Sequence, residues 1–69
     1  MKYIIAPIDK AEGIINTSAR RKSNDGRILL NENDLKKMPG TLEENTASIE
    51  GVIMNETEAI AETNKTEWL

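Results

Sequence analysis

The sequence predicts an α+β domain: a small mixed sheet, built from an N-terminal strand, a β-hairpin and one short later strand, with two or three short helices on one face. Three observations predict it. Tyr3-Ile4-Ile5-Ala6 is an apolar run with β-branched and aromatic residues at the head of the chain. Asn24-Asp25-Gly26 carries the composition of a tight hairpin turn. Helix-opening caps recur at Asn31, Thr41 and Asn55. At 69 residues the chain is expected to form one domain, spanning 1–69.

Each element follows from local chemistry. The first strand is expected to end at Pro7, which cannot donate to a ladder. Asp9 and Glu12 have capping-box spacing and Gly13 follows at once, which allows one helical turn. Residues 17–31 read as a hairpin, with Ser18 to Lys22 leading into the turn and Arg27-Ile28-Leu29-Leu30 leaving it. The first of these strands is polar and basic, so an edge position is expected. Asn31 opens a short helix through an Asx cap, with Leu35 and Met38 apolar and Pro39-Gly40 as its stop. Thr41-Leu42-Glu43-Glu44 is a capping box that starts a helix to about Glu50, with Gly51 as its left-handed cap. Its apolar stripe, Leu42 and Ile49, is thin. Val52-Ile53-Met54 reads as a short buried strand. Asn55 to Glu58 opens a last helix to about Thr63 or Asn64, with Ala59 and Ile60 facing inward. If 27–30 and 52–54 pair in parallel, the helices between them form a right-handed crossover.

Composition narrows the function. Neither cysteine nor histidine occurs. That removes a disulfide framework, a thiol nucleophile and the commonest general base and nitrogen metal ligand. No Gly-x-Ser-x-Gly elbow, Ser-x-x-Lys pattern or glycine-rich phosphate loop is present. The carboxylate pairs, Glu43 with Glu44 and Glu56 with Glu58, sit in helix first turns, where the helix dipole accounts for them. No calcium-loop order is found among Asn24, Asp25 and the residues from Asn31 to Asp34. The expectation is therefore no enzyme, no cofactor, no metal and no small-molecule substrate. The N-terminal apolar run is too short for a secretory signal, and no run of about 18 apolar residues exists. A cytoplasmic chain with no membrane partner is expected. The Asn-x-Ser/Thr triplets at Asn16, Asn55 and Asn64 are then incidental.

Net charge is −3 but unevenly placed. Residues 1–30 carry six Lys/Arg and three Asp/Glu, whereas 31–69 carry three Lys and nine Asp/Glu. The halves could attract within one fold or between copies. Arg20-Arg21-Lys22 with Arg27 across the turn makes a compact basic patch. No aromatic interleaves it for base stacking, and the chain is acidic overall, so a solvated edge guarded by cations outranks nucleic-acid binding. Trp68 and Leu69 form an apolar tail that either folds back or docks on another chain. The candidate interaction residues are thus Arg20, Arg21, Lys22, Arg27, Trp68 and Leu69. The function expected is a non-catalytic interaction or structural module, a small component of a larger assembly, phage-like or mobile-element particles included. Its partner is another protein or a second copy of itself. The alternative is a regulatory binder or adaptor acting on a nucleic-acid-handling protein, through the acidic 41–62 region or the basic hairpin.

Overall fold

The computed structural model describes residues 1–65, 67 and 68. Four strands and four helices follow in the order β1 (Tyr3–Pro7), α1 (Ile8–Ala11), β2 (Arg21–Lys22), β3 (Arg27–Asn31), α2 (Glu32–Lys36), α3 (Leu42–Ser48), β4 (Val52–Met54) and α4 (Glu56–Lys65). The α+β class is as the sequence predicts.

The strand order is β2-β3-β1-β4, and every pairing is antiparallel. The sheet is not mixed. β3 and β4 do run in the same direction, but β1 lies between them instead of their pairing directly. The reason lies in β1 itself. Ile4, Ile5 and Ala6 are consecutive and all buried. A strand apolar on both faces needs cover above and below, and the sheet centre supplies it. The two-residue β2 and three-residue β4 take the edges.

The pleat sorts side chains into two cores. Ile4 and Ala6 of β1 join Ile28 and Leu30 of β3 on one face, against Ala11 of α1, Leu35 of α2 and Ile49 at the C-cap of α3. Ile5 and Met54 lie on the other, against Ala59 of α4, with Tyr3, Leu29 and Trp68 packed around them. Three helices share one face, as expected. The last helix covers the opposite face, which the sequence reading did not place. Ile5 and Met54 make that second cover necessary. Ala59 faces inward as expected, but Ile60 is 52 % exposed.

The caps largely form as read. Asn31 and Asp34 exchange side-chain and backbone bonds at the start of α2, as do Thr41 and Glu44 at α3. Asn55 and Glu58 do the same before α4, at 3.0 and 2.8 Å. α1 is the exception. β1 runs straight into it at Pro7, which holds the N-cap position without a side-chain bond. Asp9 therefore falls in the first turn. The thin stripe of α3 also has an answer. Asn45 and Thr46 are buried with it, Asn45 Nδ2 donating to the Leu35 carbonyl at 3.1 Å and the Thr46 hydroxyl to the Leu42 carbonyl at 2.7 Å. Satisfied polar groups can occupy a core that unsatisfied ones cannot.

The end of α3 departs from expectation by one residue. The N–H of Gly51 bonds to the Thr46 carbonyl at 2.9 Å and that of Glu50 to Ala47 at 3.1 Å. These are the two bonds of a Schellman motif, and they put Glu50 at its left-handed position, with φ 55°. Gly51 is needed for space instead. A Cβ there would lie 2.7 Å from Ile4 Cγ2 and 3.1 Å from Thr46 Cγ2.

The two positions should answer oppositely in urea unfolding. Glu50→Gly is expected to be neutral or stabilising by up to about 1 kcal/mol, because it relieves left-handed strain. Gly51→Ala is expected to cost about 1–3 kcal/mol by overpacking against Ile4.

Candidate functional site

The basic residues of the hairpin do not gather into a free patch. Arg20 Nη2 reaches Asp34 Oδ1 at 2.5 Å, and the Asp34 side chain is only 7 % exposed. The other oxygen of Asp34 accepts the Asn31 N–H at 3.0 Å. Arg20 thus ties the hairpin's entry to the cap of α2. Among the described residues, its buried Nε has no bonded partner. The Lys22 ammonium turns back on its own chain, donating to the carbonyls of Thr17 at 2.6 Å and Arg20 at 3.1 Å. Arg27 Nε pairs with Asp25 at 3.1 Å and its Nη1 with Glu62 at 3.4 Å, and its guanidinium lies 5.8 Å from the Trp68 ring centre. Arg21 is exposed and borders the clefts beside Tyr3 and Leu29.

The turn is built as its sequence implies. Gly26 has φ 86°, and the Ser23 N–H donates to the Arg27 carbonyl at 2.8 Å. The Ser23 hydroxyl donates to the Asp25 carboxylate and accepts the Arg27 N–H at 2.9 Å. The Ser23 hydroxyl, and then Arg27, hold the Asp25 carboxyl below its ordinary value. Lys65, with a smaller part from Arg27, does the same for Glu62. Backbone N–H groups lower two more: Lys2 for Glu32, and the Thr41 cap for Glu44.

The tail folds back. Ser23 and Trp68 form an antiparallel bridge, and the Asn24 N–H donates to the Glu67 carbonyl at 3.0 Å. Asn24 Nδ2 adds a bond to Glu67 at 2.8 Å. Trp68 packs on the Ile5, Met54 and Ala59 core, though its indole N–H is buried without a partner among the described residues. Leu69 lies outside the described residues. The tail therefore covers the sheet where the hairpin turn leaves β2.

The opposite edge is different. Among the described residues, no strand pairs with the outer side of β4. The Glu32 N–H bonds to the Lys2 carbonyl at 3.0 Å, and the Ile8 N–H to Gly26 at 2.9 Å. Even-numbered residues along β1 therefore bond toward β3. Tyr3 and Ile5 then bond toward their β4 partners, Met54 and Val52. By the alternation of an antiparallel ladder, the N–H and C=O of Ile53 point away from the sheet. Val52 was expected to be buried. It is 60 % exposed, because on this face of the edge strand α4 covers Met54 but not Val52. It lines a groove of about 330 Å³ with Ile5, Ala6, Pro7 and Met54 as apolar wall, and Arg27, Glu50 and Glu62 at its rim. A smaller cleft of about 250 Å³ lies among Lys2, Ile53, Met54, Asn55 and Glu58. Sequence reasoning missed this edge. Nothing local marks it, since β4 becomes an edge only when β1 takes the centre.

Among the described residues, no three His, Cys, Asp or Glu side chains cluster to hold a metal ion. No helix among them is long and apolar enough to cross a membrane. The chain matches no protein-family model, no curated protein and no solved structure.

Two outcomes test these contacts. Arg20→Ala leaves the Asp34 carboxylate nearly buried without its cation, and is expected to cost about 1–3 kcal/mol in urea unfolding. The second outcome is pH dependence. Asp25, Glu32, Glu44 and Glu62 are all lowered in the fold, so the native state favours their charged forms. Their contribution is complete above the ordinary carboxylate range, about pH 4, and is lost as pH falls through their depressed values. The urea midpoint should hold steady on mild acidification and drop below that range, and Asp25→Asn should shrink the drop.

Proposed function

We propose that this chain is a non-catalytic protein-interaction module of the cytoplasm, a small component of a larger assembly that docks through the β4 edge and its groove. The single observation that carries the reading is the inequality of the two sheet edges. On the hairpin side, the tail lies across the turn, and Arg20, Lys22 and Arg27 have partners inside the molecule. On the β4 side, an apolar residue is exposed beside an apolar groove and an unpaired strand edge. Exposed apolar surface beside open backbone groups is what strand-adding partners use.

A regulatory binder is the second reading. The inward ties of Arg20, Lys22 and Arg27 weigh against its basic-hairpin form. Residues 41–62, with six Glu and no Lys or Arg, favour its acidic form. Both readings put the contact on the same half of the molecule, and they differ in stoichiometry.

A photo-crosslinking residue tests the proposal in the native host. With p-benzoylphenylalanine in place of Val52, a discrete protein adduct is expected. The same group in place of the exposed Glu12, at the C-cap of α1, should give none. Equal labelling at both positions, or none at Val52, would remove the reading. A single 1:1 adduct would favour the regulatory form over a multi-subunit one.

A further inference from the structure

We propose that Asp25-Gly26 is a site of spontaneous aspartate isomerisation, clamped in the fold by the Ser23 hydroxyl and the Arg27 guanidinium, and that its conversion frees the tail.

The reaction needs only this chain and water. The Gly26 amide nitrogen attacks Asp25 Cγ and loses its proton, the carboxyl loses its hydroxyl, and one water leaves as a cyclic imide closes. Water then adds to either imide carbonyl. Addition at the side-chain carbonyl restores aspartate. Addition at the main-chain carbonyl leaves that carbon as a free carboxylate and routes the backbone through Cβ and Cγ.

Sterically the turn is open to this chemistry. Gly26 has no side chain, and among the described residues nothing lies within 4 Å of where a Cβ would stand. The Asp25 side chain is 51 % exposed, so water reaches it. Hydrogen bonds close what sterics leave open. One carboxylate oxygen of Asp25 accepts both the Ser23 hydroxyl and Arg27 Nε, the latter at 3.1 Å. The attacking nitrogen is held as well, its N–H donating to the Ser23 carbonyl at 3.3 Å. Both clamping residues are themselves fixed. Ser23 is buried, gives its N–H to the Arg27 carbonyl and takes the Arg27 N–H on its hydroxyl. Arg27 is braced by Glu62 at 3.4 Å. Ring closure has to break bonds on the electrophile and on the nucleophile before the two can align, and alignment is what makes an intramolecular attack fast. The same two donors favour the ionised carboxylate, whereas the form that sheds a hydroxyl is the protonated one.

Conversion would be felt beyond the turn. Asn24 holds Glu67 through two bonds, and Ser23 bridges Trp68. An extra main-chain carbon between Asn24 and Gly26 shifts these anchors relative to β3, so the tail loses its seat and uncovers Ile5 and Met54.

The test compares the full chain with the synthetic peptide Ser-Asn-Asp-Gly-Arg, blocked at both ends and incubated beside it in mildly acidic buffer. Trypsin cuts after Lys22 and Arg27 and releases the same segment from the chain. Isoaspartate has the mass of aspartate, so the two forms are separated by retention and told apart by electron-transfer fragmentation. Isomerisation in the chain is expected to be at least about tenfold slower than in the peptide. Ser23→Ala, shown to be folded by its amide spectrum, should recover most of that difference. Gly51→Ala loosens the fold without touching the turn and should recover little. Equal rates in chain and peptide would overturn the proposal, and that comparison needs no variant. Equal acceleration by Ser23→Ala and Gly51→Ala would assign the protection to global stability and overturn the clamp. Trp68 is the sole tryptophan, and its fluorescence is expected to shift to the red in the isomerised chain. An unshifted spectrum there would overturn the release of the tail.

Discussion

Everything in this fold depends on β1 being apolar on both faces. Ile4, Ile5 and Ala6 follow one another without a polar break, and all three are buried. Such a strand cannot sit at an edge or face water on one side. It takes the centre, and β3 and β4 must flank it. Once it is there, Ile4 and Ala6 demand cover on one side and Ile5 on the other. The first three helices supply one cover and α4 with Trp68 supplies the other.

The two covers are unequal. The first buries Leu35 and Ile49 with no accessible surface and has satisfied polar side chains at Asn45 and Thr46. The second buries one alanine of α4 and borrows an indole from the chain end. A ten-residue helix with one small inward side chain cannot span the face, and the groove beside Val52 is what it leaves bare. The apolar surface there follows from a shortage of core residues on one side. The tail is drawn into that side for the same reason. Trp68, whose N–H is buried without a partner among the described residues, covers Ile5 and Met54.

What the sequence disclosed was local. The three reciprocal caps and the Asn24-Asp25-Gly26 turn each involve residues within four positions of one another, so their chemistry is written contiguously. The polar edge strand was legible for the same reason, since Arg21 and Lys22 cannot enter a core unpaired. Strand order was not legible, because it is decided by competition among strands for the centre. The face taken by α4 follows from that order, and so does the exposure of Val52. The partner of Arg20 is fourteen residues away in α2, and no pattern within the hairpin announces it. The cap of α3 failed in an instructive way. Gly51 looked like the left-handed residue because glycine usually is, yet Ile4 on another element claims its missing side chain. The strain therefore passes to Glu50.

An open strand edge beside exposed apolar surface is also a hazard, because identical chains can add to it without limit. Here the edge is three residues long, set between the left-handed turn at Glu50, whose carboxylate Lys10 pairs at 3.1 Å, and the start of α4. Short length restricts any added strand to a few backbone bonds, so backbone pairing alone holds little. The same shortness therefore limits uncontrolled addition of strands at this edge.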